Sequence, residues 1–526
     1  MPRKTVVIGL DAADLDVMRP MIARGELPHI AKLLEDGAHG VLHSTVPPVS
    51  APAWATFLTG VEPGRHGLYA FVVERPGDGR MQLANVTHIH GPKVWDLCAL
   101  QGARPVVANV PVTWPAPVVD GVIVTGMLTP ESAENPVCFT HPPELSGEIR
   151  LSIPGYRIDI DHAMMADREH LFASLCEMNR HHRDLFVHLL RTQRWDLFVG
   201  IFTNTDRGQH AFWRSGRETV DRLFADVDRH IGELLREVDR ATTTIVLMSD
   251  HGFTGCRWKV YVNRALEAAG LLATRRAAAQ DESYDSRRPD FFEGFQGGRG
   301  DGAGDPGVFG KVLAAVGVGG IVTVDWPATR AFLWSLDSGG VAVNLKSRYP
   351  HGCVEDADYE TVRDQVIAAL SALKTADGRT AFRSVRRRED VFQGPYVSSA
   401  PDVVAEPDDA VEFGMDLDAK EPIREHRREE GHHSPRGFIS LTGPGIRRGA
   451  AIEGRIADCL PTILHSMGLA VPPVCDGRVL LEAFEDPAPV RTLDAGAIAA
   501  GVATAPVYTA EEEAELRKSL EGLGYL

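Results

Sequence analysis

The sequence has little that would cross-link or anchor it. Its seven cysteines are odd in number and widely spaced, at 98, 138, 176, 256, 353, 459 and 475, with no Cys-x-x-Cys pair. That argues against a disulfide framework or a four-cysteine zinc site, and for small buried thiols in a reducing compartment. No stretch approaches the ~20 consecutive apolar residues of a membrane span. The opening run Thr5–Leu10 is too short for a signal-peptide core and is closed by Asp11. A cytoplasmic protein without a membrane partner is expected. Positive charge is also scarce: 55 Lys and Arg stand against 72 Asp and Glu, a net charge of −17. A nucleic-acid scaffold needs basic stripes, so that class is disfavoured. A small phosphate-bearing substrate is not, because a bound metal supplies positive charge locally.

What is present is an ordinary globular composition, 44% apolar and 24% charged over 526 residues, with enough apolar surface to offset the ordering entropy. Thr5–Leu10 reads as a buried parallel strand ending at Asp11. Residues 14–36 read as helical, broken by Pro20 and Pro28 into more than one helix. A strand at 39–43 leads into the Pro-rich loop 46–52, and a helix spans Ala53–Thr59 with Gly60 as its stop. Strands are expected at Pro105–Asn109, Gly121–Thr125, Leu197–Thr203 and Thr243–Met248, and helices at 168–192 and 217–239. This alternation predicts an α/β fold, a mostly parallel sheet sandwiched by helices, with chemistry at the carboxyl ends of the strands.

Residues 273–308 read as a flexible loop whose Gly-rich part, 294–307, lacks the Gly-Lys-Ser/Thr of a phosphate-binding loop. Strand-like pieces at Thr329–Leu333, Gly340–Leu345 and Phe382–Val385 and a helix at 358–374 suggest a small α+β cap insertion. Pro401–Ala405 reads as the return to the main sheet, which closes with Gly437–Leu441 and a helix at 457–467. The expected organisation is a core in two parts, 1–255 and 401–483, a cap at 256–400, and an Ala/Pro-rich linker with a Thr509-capped helix at 484–526.

Four places combine metal-ligating residue types with strand ends: Asp11, the pair Asp206 and His210, Asp250-His251-Gly252, and His432-His433. Each has a plain reading as a cap, a turn or a solvated loop. Jointly they put three Asp and three His on one rim, a supply that suits two borderline divalent ions such as Zn²⁺ or Mn²⁺. Ser50, just before a helix start, is the candidate nucleophile, since a helix N-terminus favours an anion.

These segments, with Ser50-Ala-Pro-Ala-Trp-Ala-Thr-Phe-Leu-Thr-Gly60, Pro63-Gly-Arg-His66-Gly67 and His433-x-x-x-Gly437 in the same order, resemble the alkaline-phosphatase superfamily. The branch they resemble is the type I phosphodiesterase/nucleotide pyrophosphatase group, and within it the cytoplasmic predicted phosphohydrolases or phosphomutases. The resemblance covers roughly residues 4–480. It implies that Asp206, His210 and His433 hold one metal, and that Asp11, Asp250 and His251 hold the other together with Ser50. It further implies a covalent phospho-Ser50 intermediate, so the expected activity is two-metal hydrolysis of phosphoric esters. His433 is preferred over His432 because of the glycine four residues on. Where the related pyrophosphatases carry a substrate-orienting asparagine, position 71 is Phe, so nucleotide specificity is not carried over. Trp54 stands where sulfatases carry an arginine, which argues against sulfate esters. A phosphomutase and a non-catalytic phosphate-ligand-binding protein are the alternatives, and Gly9-Leu-Asp11 is not a dinucleotide turn. Asn109, Lys346 and Arg348 are candidate substrate contacts. Asn204, Arg207 and Gln209 lie beside the Asp206–His210 ligand pair.

Overall fold

A computed structural model of the chain describes residues 2–75, 81–131, 139–160, 164, 167, 169–277, 321–494, 508–523 and 525–526. The Gly-rich stretch 294–307, most of the 273–308 loop and residues 495–507 of the Ala/Pro-rich linker lie outside the described residues.

The strand Lys4–Leu10 is buried from Thr5 onward, and its side chains alternate between two apolar layers: Val7 on one face, Val6 and Ile8 on the other. Strands buried on both faces need covering on both, which fixes them at the centre of a parallel sheet. Lys4–Leu10 therefore pairs in parallel with Leu197–Phe202 on one side and Thr243–Met248 on the other. The sheet has nine strands, in the order Ala451–Arg455, Ala38–His43, Arg436–Thr442, Thr243–Met248, Lys4–Leu10, Leu197–Phe202, Pro105–Ala108, Val122–Val124, Thr140–His141. Only Arg436–Thr442 and Thr140–His141 run antiparallel to their neighbours. One face packs on the helix Ser50–Thr59 through Trp54 and Phe57. The other packs on Leu15–Ala23, Pro28–Asp36, Leu171–Thr192 and Arg217–Leu235.

Several sequence expectations shift. Pro20 does not break its helix, which runs through it from Leu15 to Ala23; Pro28 begins the next one, at the first-turn position where its missing N–H costs nothing. The helix expected at Ala53 begins at Ser50. Thr274–Ala277, taken as loop, is a strand paired with Ile321–Val324. Val403–Pro407 does not return to the main sheet: it pairs with Gly340–Val343 and Phe382–Arg387 in a separate four-stranded sheet, so the chain rejoins the main sheet only at Arg436. A further three-stranded ribbon sets Gly252–Tyr261 between Val411–Gly414 and Ile423–Ser434. The boundary expected between residues 255 and 256 falls inside its central strand. No helix among the described residues is long and apolar enough to cross a membrane.

Candidate metal centre

Five short segments meet beyond the carboxyl ends of the central strands. Asp11 follows its strand directly, and its amide donates to the Phe202 carbonyl at 3.0 Å. Asp206 and His210 lie one turn apart on the helix Asn204–Phe212, on one face. Asp250 and His251 follow Thr243–Met248. His433 sits near the end of Ile423–Ser434, opposite Phe253. Ser50 occupies the first position of its helix, but its hydroxyl makes no capping bond; it turns inward instead. Gly437 earns its place by close approach: a Cβ there would stand 2.6 Å from the Ser249 hydroxyl, which accepts from the Phe438 amide at 2.9 Å and fixes the turn carrying Asp250.

The side chains converge as two adjoining sets. In the first, Asp206 Oδ1 lies 3.2 Å from His433 Nε2 and 3.4 Å from His210 Nε2, and the two Nε2 atoms are 2.9 Å apart. These separations match the ~3.3 Å edges of a tetrahedron about an ion with ligands at ~2.0–2.1 Å. In the second, the Ser50 hydroxyl donates to Asp11 Oδ1 at 3.1 Å and lies 3.1 Å from His251 Nε2. Asp250 Oδ2 is 3.3 Å from that nitrogen. An Asp206 oxygen lies within 4.8 Å of ligand atoms of Asp11 and His251, so the sets adjoin.

The surroundings aim these atoms. His433 and His251 point Nδ1 at the carbonyls of Pro48 and Gly252, at 3.1 and 3.0 Å, leaving Nε2 directed inward, the arrangement that prepares an imidazole for a metal. The Trp54 indole N–H donates to Asp11 Oδ2 at 3.0 Å, and the Ala12 amide donates to Asp250 Oδ1 at 3.2 Å. Asp206 Oδ1 and Asp250 Oδ2, both buried, have no hydrogen-bond partner among the described residues. Burial, with the neighbouring carboxylates, pushes the Asp11 carboxyl well above its ordinary range, and Asp250 is raised chiefly by burial. Burial opposes the Asp206 charge too, but His210 and His433 hold that carboxyl well below the usual range. Three buried carboxylates, two of them with an orphaned oxygen, and inward imidazole nitrogens fit divalent cations: such a group ionises fully only around positive charge.

The remaining sequence candidates separate clearly. Asn109 is buried beyond the end of Pro105–Ala108 with a left-handed backbone (φ 60°). It accepts from the Tyr156 hydroxyl at 3.3 Å, and its Nδ2 has no partner among the described residues. Asn204 does not face the rim's ligands; it donates to Leu175 O and Asn179 Oδ1, tying its helix to Leu171–Thr192. Gln209 donates to the Ala12 carbonyl at 2.9 Å, and buried Arg207 pairs with Asp159 at 2.6 Å. Lys346 pairs with Glu355 at the surface, and Arg348 makes a bidentate pair with buried Asp402. Neither of these two lines the cleft beside the rim. That cleft encloses about 600 Å³, part of it open to solvent, between the loop Thr45–Val49 with His432 and His433 on one wall and Ser338, Arg383 and Glu406 of the four-stranded unit on the other.

Two features escaped the sequence reading. Cys256, Glu412 and His426 form a third cluster of ligand types, but Lys259 Nζ stands 3.0 Å from Glu412. His426 and Lys259 together hold that half-buried carboxyl down to about 2, against the pull of burial, so its charge is met from within the chain. The second is Tyr525, whose hydroxyl donates to Asp206 Oδ2. A tyrosine after the helix Ala510–Leu523 carries no pattern that would mark it.

The family model described as type I phosphodiesterase / nucleotide pyrophosphatase matches residues 5–436. No curated protein matches the sequence. Among solved structures the fold is similar to phosphonoacetate hydrolase from Sinorhizobium meliloti in complex with phosphonoformate, with 15% identity, coverage of 87% of this chain and 94% of that one, and a TM-score of 0.53. It is also similar to human ectonucleotide pyrophosphatase/phosphodiesterase 5, with 13% identity, coverage of 92% and 100%, and a TM-score of 0.52. A murine form of the latter, inactive and in complex with AMP, matches at 12% identity over 89% and 96% with a TM-score of 0.50. With its matched segment spanning most of the sequence, the chain belongs to the type I phosphodiesterase/nucleotide pyrophosphatase family.

Proposed function

We propose that this chain is a two-metal hydrolase of small phosphoric esters that works through Ser50. One observation carries the reading: the Ser50 hydroxyl, 1% exposed, is spent on Asp11 Oδ1 and stands beside His251 Nε2 rather than capping its own helix. Asp206, His210 and His433 would hold one divalent ion, and Asp11, Asp250 and His251 the other, with Ser50 Oγ beside it. The imidazole and carboxylate donors suit Zn²⁺ or Mn²⁺. Such ions, when bound, acidify a neighbouring hydroxyl and stabilise developing charge on oxygen.

The chain's own part follows from its geometry. Trp54 and Ser50 fix both oxygens of Asp11 by donating to them, so Oγ is held in one place. The helix behind it offers the Ser50 and Ala51 amides, first-turn donors with no intrahelical acceptor, to an incoming phosphoryl group. Pro52 contributes none. Ser50 Oγ gives up its proton to solvent and attacks phosphorus, the bond to the leaving oxygen breaks, and that oxygen takes up a proton from solvent. Water then attacks the phospho-Ser50 phosphorus, the Oγ–P bond breaks, and the hydroxyl is restored. The cleft beside His433 receives the rest of the ester, and its opening to solvent supplies that water, which favours hydrolysis over transfer back to the same molecule.

Ser50→Ala is expected to keep the fold and both ions but to drop to background on p-nitrophenyl mono- and diesters, while acid-quenched wild type shows a phosphorylated species by intact mass. Wild-type turnover in the variant would sink the nucleophile assignment. Rearranged ester with no released phosphate or alcohol would identify a mutase instead.

A further inference from the structure

We infer that Tyr525 is a positioning residue for the metal centre: its phenol holds Asp206 Oδ2, so that Oδ1 is presented to His210 and His433. The inference rests on the reading of those three residues as a metal site.

Residues 508–523 and 525–526 are built onto the molecule beside the rim. Thr509 and Glu512 close a reciprocal cap, each bonding the other's amide at 3.2 and 3.0 Å. The helix they start is fastened to the segment 81–84: Arg517 donates to the Met81 carbonyl at 2.7 Å, and Glu513 accepts from the Leu83 amide at 3.2 Å. Before it, the Tyr508 hydroxyl bridges the carbonyls of Ala84 and Leu128, and its ring stacks on Trp114 with centroids 4.7 Å apart. After it, the Tyr525 amide donates to Leu520 O at 3.0 Å and closes the helix end.

Tyr525 is thereby carried into the site, where it is 3% exposed. Its ring packs on Phe71 at 4.7 Å between centroids and edges the two imidazoles, 5.7 Å from His210 and 5.6 Å from His433. Its hydroxyl donates to Asp206 Oδ2. The other carboxylate oxygen, turned toward the imidazoles, has no hydrogen-bond partner among the described residues. A carboxylate pinned at one oxygen cannot swing, and that makes the other a better ligand.

The test uses the full chain, stripped of metal and titrated with Mn²⁺ alone, followed by the resonance of the free ion. Tyr525→Phe keeps the ring and its Phe71 contact. It is expected to weaken one ion by about 10–100-fold, leave the other at wild-type affinity, and leave the melting curve of the metal-free protein in place. Wild-type affinity at both sites would overturn the inference. So would equal weakening at both, the pattern of general loosening. Tyr525→Gln, which restores an N–H donor, is expected to recover part of the loss; Tyr525→Leu, which has no donor, carries the test should the Phe variant fold poorly, with wild-type affinity again the overturning result. Asp206→Ala separates the two levels. If it loses one ion while Tyr525→Phe binds both normally, only the Tyr525 role falls. If it keeps both ions, the ligand reading itself falls.

Discussion

At the scale of single residues, the site depends on side chains whose bulk hides their polar function. Trp54 is fully buried against the central strand, where Gly9 makes room: a Cβ at that position would stand 2.6 Å from the indole. An indole's apolar body marks it as core, yet its one N–H fixes Asp11. Trp54→Phe should leave Asp11 Oδ2 buried without that donor and weaken the ion held with Asp250 and His251 by about 10–100-fold. Calorimetric titration of the metal-free variant checks this, and unchanged affinity would reduce Trp54 to a space filler. Asp11 and Asp250 were conspicuous for the opposite reason: each is a small charged group placed just after an apolar strand. Tyr525 was not, because nothing local distinguishes a buried from an exposed tyrosine at the end of a helix.

At the scale of elements, apolar runs told where strands are but not which sheet they join. Val403-Val404-Ala405 is buried equally well by either sheet, and its partner is settled by Asp402 before it. That fully buried carboxylate accepts from the Val343 amide at 2.7 Å, from Arg348 at 2.7 and 3.0 Å, from Arg388 at 3.0 Å and from the Tyr359 hydroxyl at 2.6 Å. Arg348, expected to reach substrate, is thus part of what stitches the four-stranded unit together. Asp402→Ala takes the carboxylate partner from half-buried Arg348 and one of two from Arg388, a change worth about 3 kcal/mol. Faster amide exchange should appear across 340–407, with metal affinity at the rim unchanged; protection equal to wild type would refute the stitching role. The strand Ile423–Ser434, which carries His433, was invisible for a different reason. Its sequence Ile-Arg-Glu-His-Arg-Arg-Glu-Glu is nearly all charged, and a strand solvated along much of its length shows no apolar alternation.

At the scale of the whole molecule, the response to acid is a contest between buried groups of opposite sign. His182 is pushed down to about 3 by burial, against an ordinary value of 6.5, and His66 behaves alike. His66 has no room for a second proton: Nε2 meets the Thr56 hydroxyl at 2.9 Å, and Nδ1 accepts from the Leu68 amide at 3.2 Å. Below pH 6.5 the unfolded chain takes up protons that these folded imidazoles refuse, so their stabilisation is complete above that pH and is lost toward 3. Asp337, raised to about 7 by burial, acts in the other direction over part of that range. The clean measure is therefore a difference. Urea midpoints of wild type and His182→Gln, compared from pH 7 to 5, should show wild type losing ground by up to about 1.4 kcal/mol per pH unit. A pH-independent gap would contradict the assignment.

The order of the central sheet has a consequence for how the chain must be completed. Arg436–Thr442 lies between Ala38–His43 and Thr243–Met248, so it is a keystone set long after both of its neighbours. Until it arrives, the sheet is split by a slot one strand wide, about 10 Å between flanking backbones, with a bare row of amides and carbonyls on each side. Any fragment that stops short of residue 436 also lacks Ala451–Arg455, so Ala38–His43 is bare on both edges and Thr243–Met248 on one, each a template for a foreign strand.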